Sequence, residues 1–178
     1  MSSSALKADL TARAPVDDEP MYELIELFFF AYRDFVGDAD RLLEAYGFGR
    51  AHHRVLYFVC RRPGLTIAEL LEILRITKQS LNRVLRELVD KNFIETRAGA
   101  LDRRRRQLYA TPEGERLALR LAQVQTKRFA SALKALGGTG SRLAMDFLYA
   151  MIDPDGKAIV SSAGPRPAPA RLTEARRS

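Results

Sequence analysis

Residues 66–110 read TIAELLEILRITKQSLNRVLRELVDKNFIETRAGALDRRRRQLYA, and the changes of period inside this stretch decide the fold. Thr66-Ile67-Ala68-Glu69 has capping-box spacing: the Thr66 hydroxyl accepts from the Glu69 amide while the Glu69 carboxylate reaches back. The box predicts a short helix over 67–74 with Ile67, Leu70, Leu71 and Leu74 on one side. Thr77 stands where it can cap a second helix over 78–91, whose inner stripe is Leu81, Val84, Leu85 and Leu88. Asn92 tolerates the left-handed backbone that ends a helix. The period then drops to two, and 93–97 and 106–110 predict two short strands around a polar loop. Helix, short turn, helix, then a hairpin with a basic loop is the order of a winged helix-turn-helix.

Working outward, residues 50–61 (RAHHRVLYFVCR) form a buried-type helix stopped by Arg62-Pro63-Gly64. Before it, Asp17-Asp18-Glu19-Pro20 marks a helix start, followed by a helix over 21–36 that is apolar around most of its circumference. Such a helix must be covered on nearly all sides, and a second subunit is the natural cover. Gly37, Gly47 and Gly49 then punctuate the chain, with a short helical piece over 39–46. Downstream, Thr111-Pro112-Glu113 opens a long helix to about Leu136, where Gly137-Gly138 breaks it, and 141–152 forms a last amphipathic helix. Residues 1–20 are expected to be a flexible arm and 153–178 a flexible basic tail. The fold class is mainly α with a small β-hairpin.

The charge is unevenly placed. Residues 1–50 hold five Lys/Arg against ten Asp/Glu, leaving 24 against 12 in residues 51–178. A split of sign between the two parts suggests that one of them faces a polyanion, and nucleic acid is the first candidate. One cysteine excludes a disulfide framework and a multi-thiolate zinc site. The longest purely apolar runs, 27–32 and 55–60, are six residues long, against the roughly 18 of a membrane span. The first residues lack the apolar stretch of a secretory signal. By elimination a soluble cytoplasmic protein without a membrane partner is expected.

On the second helix of the motif, 100° per residue sends Gln79, Asn82, Arg83 and Arg86 opposite the apolar stripe, with Thr77, Lys78 and Ser80 at the N-terminal tip. Arginine binds guanine O6/N7 with two bonds, and Gln or Asn binds adenine in the same way, so the face suits a major groove. The tip suits phosphate. In the hairpin loop, Arg103, Arg104, Arg105 and Arg106 would repel one another on a plain surface, whereas a narrow, negative minor groove rewards an arginine at a hairpin tip. Asp102 can hold one guanidinium and fix its direction.

From about Ala51 to Gly114 the chain resembles the MarR family of bacterial transcription regulators. The segments that carry the resemblance are 63–70 (PGLTIAEL), 78–88, and Asp102-Arg103-Arg104 followed by Leu108 and Thr111-Pro112-Glu113-Gly114. The helices flanking them match in placement, extending the resemblance to 21–152. RAHHRVL and ITKQSL are similar, more narrowly, to the PetP branch of that family. The resemblance implies a homodimer built by helices 21–37 and 112–152, and a winged helix-turn-helix lobe, 51–111, that binds double-stranded DNA at a pseudo-palindromic operator. It places 78–86 in the major groove and Arg104, steadied by Asp102, in the minor groove. Two departures stand out: Asn92 replaces the family's usual glycine, and Arg105 and Arg106 extend the charge of the wing.

Some family members bind zinc or a small aromatic effector between the dimer helices and the DNA lobe, where Tyr32, His52, His53 and Tyr57 would be the lining candidates here. Without a second cluster of ligating residues, structural hydrogen bonding is the better reading of the histidine pair, and neither a metal nor a cofactor is expected. Cys60 lies in an apolar run, outside the first helix where a thiol-oxidation branch of the family keeps its cysteine, and reads as a buried inert thiol. Enzyme motifs such as G-x-S-x-G or a phosphate-binding glycine loop are absent from the sequence, so no catalysis is expected. The alternatives are a winged helix that binds another protein and a low-specificity nucleoid-type DNA-binding protein.

Overall fold

The computed structural model describes residues 20–99, 105–137 and 139–162. Among them the order is α1 (Tyr22–Glu44), α2 (Arg50–Arg61), β1 (Leu65–Thr66), α3 (Ile67–Leu74), α4 (Lys78–Asp90), β2 (Ile94–Ala98), β3 (Arg106–Ala110), α5 (Pro112–Leu136), α6 (Gly140–Ala150) and α7 (Pro154–Ser162). The chain divides into two units, Met1–Phe35 and Val36–Ser178, and α1 crosses the division. In the first unit, the opening turns of α1 leave Tyr22, Phe28, Phe29 and Phe30 exposed, with Phe28 stacked on Tyr32 at 6.4 Å between ring centres.

The second unit holds the core. Leu43, Val55, Leu56, Leu70, Leu81, Val84, Leu88, Ile94, Leu108, Leu117 and Leu121 are buried, so every element from the end of α1 to the first half of α5 contributes, the two-residue β1 through Leu65 at 7% exposure. Each such leucine or isoleucine stabilises the fold by about 1.5–3 kcal/mol relative to exposure, which is why the apolar stripes set the helix faces. The caps follow the sequence. Thr66 Oγ1 accepts from Glu69 N at 3.3 Å, and the Glu69 carboxylate accepts from Thr66 N at 2.8 Å. Thr77 Oγ1 accepts from Ser80 N at 3.2 Å, and Asn92 ends the turn after α4 in left-handed backbone with φ 61°.

Two expectations need correction. Gly37 does not end the first helix, and the separate piece over 39–46 is the continuation of α1 to Glu44. A helical glycine costs about 0.5–1 kcal/mol relative to alanine, and burial of Ala39 and Leu43 outweighs that. Asp38 adds ion pairs to Arg128 of α5 and to Arg41, and the Arg128 hydrogen bond holds its carboxyl below the usual carboxylate range. Secondly, the tail expected from 153 begins with a helix. Arg62 Nη2 donates to the Ile159 carbonyl of α7, and Arg75 meets Asp155 at 3.2 Å.

The sheet has the order β1-β3-β2, all antiparallel, so the hairpin gains a third strand. Leu108 is opposite Leu65 on one side and Thr96 on the other. Gly64, with φ 88°, turns the chain into β1 and donates its N–H to the Leu108 carbonyl at 2.9 Å. Thr111 joins sheet to α5: its hydroxyl donates to the Asn92 carbonyl at 2.7 Å and accepts from Gly114 N at 3.1 Å. Gly114 packs so close to the Phe93 carbonyl that a Cβ there would lie 2.0 Å from the oxygen.

Candidate nucleic-acid interface

The inward pull of Leu81, Val84, Leu85 and Leu88 turns the opposite side of α4 to solvent. Lys78, Gln79, Ser80, Asn82, Arg83 and Arg86 are all exposed and line one open groove. Thr77 and Ser80 are engaged with each other, Thr77 Oγ1 donating to Ser80 Oγ at 3.0 Å, an arrangement that fixes the helix start. By contrast Lys78, Gln79, Asn82, Arg83 and Arg86 make no side-chain hydrogen bond or ion pair among the described residues. Three cations and two amides stand ready for an outside partner. Their donors and acceptors are of the kinds that read base edges and phosphates.

At the hairpin, Gly99 N donates to the Arg105 carbonyl at 2.9 Å and closes the loop. Asp102, Arg103 and Arg104 lie outside the described residues. Arg105 is exposed, and with Arg62 it lowers the pKa of Glu69, behind the larger effect of the Thr66 hydrogen bonds. Arg106 turns back across the sheet and donates to Thr96 Oγ1 at 3.2 Å. Arg97 lies over the Tyr109 ring at 4.3 Å and pairs with Glu95. At the wing base, Arg97 and Arg106 are thus each held by a partner on the opposite strand of the hairpin.

Three of the four residues weighed for a ligand cavity stand on α2. Tyr32 belongs to the first unit and stacks on Phe28. His52 faces α4, where its Nε2 is 2.8 Å from Glu87 Oε2. His53 is half-buried; burial lowers its pKa, opposed by the field of Asp40. Tyr57, one turn on from His53 and on the same face of α2, is exposed and meets Phe58 edge-on at 5.2 Å. Burial and, secondarily, Glu115 push the Cys60 thiol up to about 12. No group of three or more His, Cys, Asp or Glu side chains among the described residues has the arrangement of a metal site. None of the described helices is long and apolar enough to cross a membrane.

Sequence reasoning missed Glu87, an acid among the basic residues of α4, and Arg75, which takes left-handed backbone (φ 48°) in the turn before α4. The Glu87 contact joins residues 35 apart, so no local spacing announces it. The signal in the sequence was a carboxylate four residues after Arg83.

Comparison with known proteins agrees with this geometry. A model described as the MarR family matches residues 46–105. The HTH-type transcriptional regulator PetP of Rhodobacter capsulatus is 44% identical over 137 residues, covering 77% of this chain and 82% of that protein. Among solved structures, a MarR family protein of Mycobacterium tuberculosis in complex with salicylic acid is 25% identical with a TM-score of 0.55, covering 76% of this chain and 98% of that one. The fold is also that of the S. aureus MepR–DNA complex, at 21% identity and a TM-score of 0.60, covering 75% of this chain and 97% of that one.

Proposed function

The chain belongs to the MarR family, and from that premise we propose that it is a transcription regulator that binds a pseudo-palindromic operator as a homodimer. Membership places it among regulators of transcription and not among enzymes. The observation that carries the reading is the exposed face of α4, where Lys78, Gln79, Asn82, Arg83 and Arg86 keep their hydrogen-bonding groups free among the described residues. Arg83 and Arg86 are the base readers, and Thr77 and Ser80 set the tip against phosphate. On the wing, Arg104 enters the minor groove with Asp102 directing it, while Arg103 and Arg105 contact phosphate.

Support for the dimer comes from apolar surface that a lone chain leaves in water. Leu143, Met145, Phe147, Leu148, Tyr149 and Met151 of α6 and its end are exposed, as are Met21, Leu24, Ile25 and Phe29 in the first unit. Two copies related by a two-fold axis would present their α4 helices about 34–36 Å apart, one turn of DNA. A small ligand is proposed to modulate binding. One supporting feature is Arg61, which keeps a buried guanidinium nitrogen without a hydrogen-bond partner among the described residues. His53 and Tyr57 are the candidates on the neighbouring face, whereas His52 is engaged.

Selection of bound fragments from the source genome, followed by footprinting, tests the reading. A two-fold symmetric footprint is expected, and Arg83→Ala or Arg86→Ala should each cost about 1–3 kcal/mol and relax preference at particular base pairs. Equal affinity for all sequences, with a salt slope but no footprint, would replace it with the nucleoid-type reading. Sedimentation as a folded monomer at micromolar concentration would remove the dimer.

A further inference from the structure

Glycine has no side chain with which to cap a helix, yet α2 starts on Gly49. His52, at the third helical position, supplies what is missing: Gly49 N–H donates to its Nδ1 at 3.1 Å. With Nδ1 accepting, the neutral ring carries its proton on Nε2, which donates to Glu87 Oε2 at 2.8 Å. The ring cannot swing freely. It stacks on Phe48 at 4.7 Å, its side chain is 12% exposed, and Lys91 lies over the Phe48 ring while bonding the Tyr46 carbonyl.

Glu87 is four residues after Arg83 on α4, the spacing at which a carboxylate and a guanidinium meet on a helix surface. In the structure that pair is not made, because the carboxylate is taken by His52. We propose that His52 is a positioning residue for DNA reading: it draws Glu87 off the reading face and so leaves the Arg83 guanidinium free for a base. The proposal rests on the DNA-binding role argued above and adds to it a residue that touches no DNA.

The test uses the full chain, a duplex bearing one footprinted operator, and a scrambled duplex of equal length. His52→Asn keeps an acceptor oxygen where Nδ1 takes the Gly49 N–H, but is too short to reach Glu87 and gives up that bond. Operator affinity is expected to fall about twofold, the most that one competing i,i+4 surface pair can take from a base contact, with an unchanged salt slope on the scrambled duplex. Adding Glu87→Gln to that variant should restore operator affinity, because an amide does not neutralise Arg83. Lost affinity that the second substitution leaves unchanged or deepens would show a merely structural role and overturn the proposal. So would wild-type affinity in His52→Asn. Should the asparagine variant melt below the assay temperature, His52→Ser, also too short to reach Glu87, takes its place with the same two expectations. Failure of the wild-type chain to discriminate the two duplexes would defeat the operator reading and this one together.

Discussion

Gly114→Ala and Gly37→Ala make the same chemical change in two helices, and the structure gives them opposite signs. At Gly114 the new Cβ would lie 2.0 Å from the Phe93 carbonyl oxygen and 3.3 Å from Leu56 Cδ1. Carbon–oxygen contacts settle at about 3.3–3.6 Å, so helix or strand must give way by more than an ångström. That oxygen also accepts the Thr111 N–H at 3.1 Å, at the entry to α5. Overpacking costs about 1–3 kcal/mol and a weakened hydrogen bond about 0.5–1.5, so a loss of about 2–4 kcal/mol is expected. At Gly37 the Cβ meets nothing closer than Arg41 Nη1 at 3.8 Å, inside a regular helix. Alanine there should gain about 0.4–1 kcal/mol by restricting the unfolded chain. Thermal melts followed by circular dichroism, at one fixed protomer concentration because association adds stability, read the difference. At about 2–4 °C per kcal/mol for a chain of this length, Gly114→Ala should melt roughly 5–15 °C below wild type and Gly37→Ala slightly above it. A Gly114→Ala protein melting at or above wild type would refute the close-approach reasoning.

Cys60, with its thiol pushed up to about 12, should react with a disulfide reagent at pH 8 far more slowly in the native protein than in denaturant. Prompt native reaction would contradict its burial. His53 has its folded pKa lowered by burial, so the unfolded chain takes up the proton first as pH falls below about 6.5. Its contribution is intact above that pH and declines below it; His53→Asn should therefore lose less urea stability between pH 7 and pH 5 than wild type, and an equal loss would assign the acid sensitivity elsewhere. Asp102→Asn should weaken operator binding like a milder Arg104→Ala, because it removes the directing carboxylate although it adds positive charge. Tighter binding instead would mean that charge alone governs the wing.

Much of the winged lobe was legible because its boundaries are set by side chains acting within three residues. Thr66, Thr77 and Thr111 each accept from the amide three positions on, and Asn92 takes the left-handed turn its chemistry allows. The face of α4 followed from the stripe it opposes. What escaped the sequence depends on distant partners. The passage of α1 through Gly37 is sustained by Asp38 bonding Arg128, 90 residues away. Strand β1 is two residues long, too short for any alternation, and is a strand only because β3 offers it hydrogen bonds. The helix at 154–162 opens with proline and contains a glycine, and local composition reads that as tail.

Strand β1 has one more effect. Its second residue, Thr66, is also the cap of α3, and its first is opposite Leu108 in the middle strand of the wing. The hairpin and the helix pair are thus two jaws joined through one short strand. A gauge of that kind measures an interval instead of adapting to it. For a chain that reads DNA as proposed, the offset between a major groove and the adjoining minor groove becomes a fixed requirement on the duplex. Sites whose twist or groove width departs from it must be deformed to fit, so base pairs lying between the two jaws would be selected for their stiffness without ever being touched.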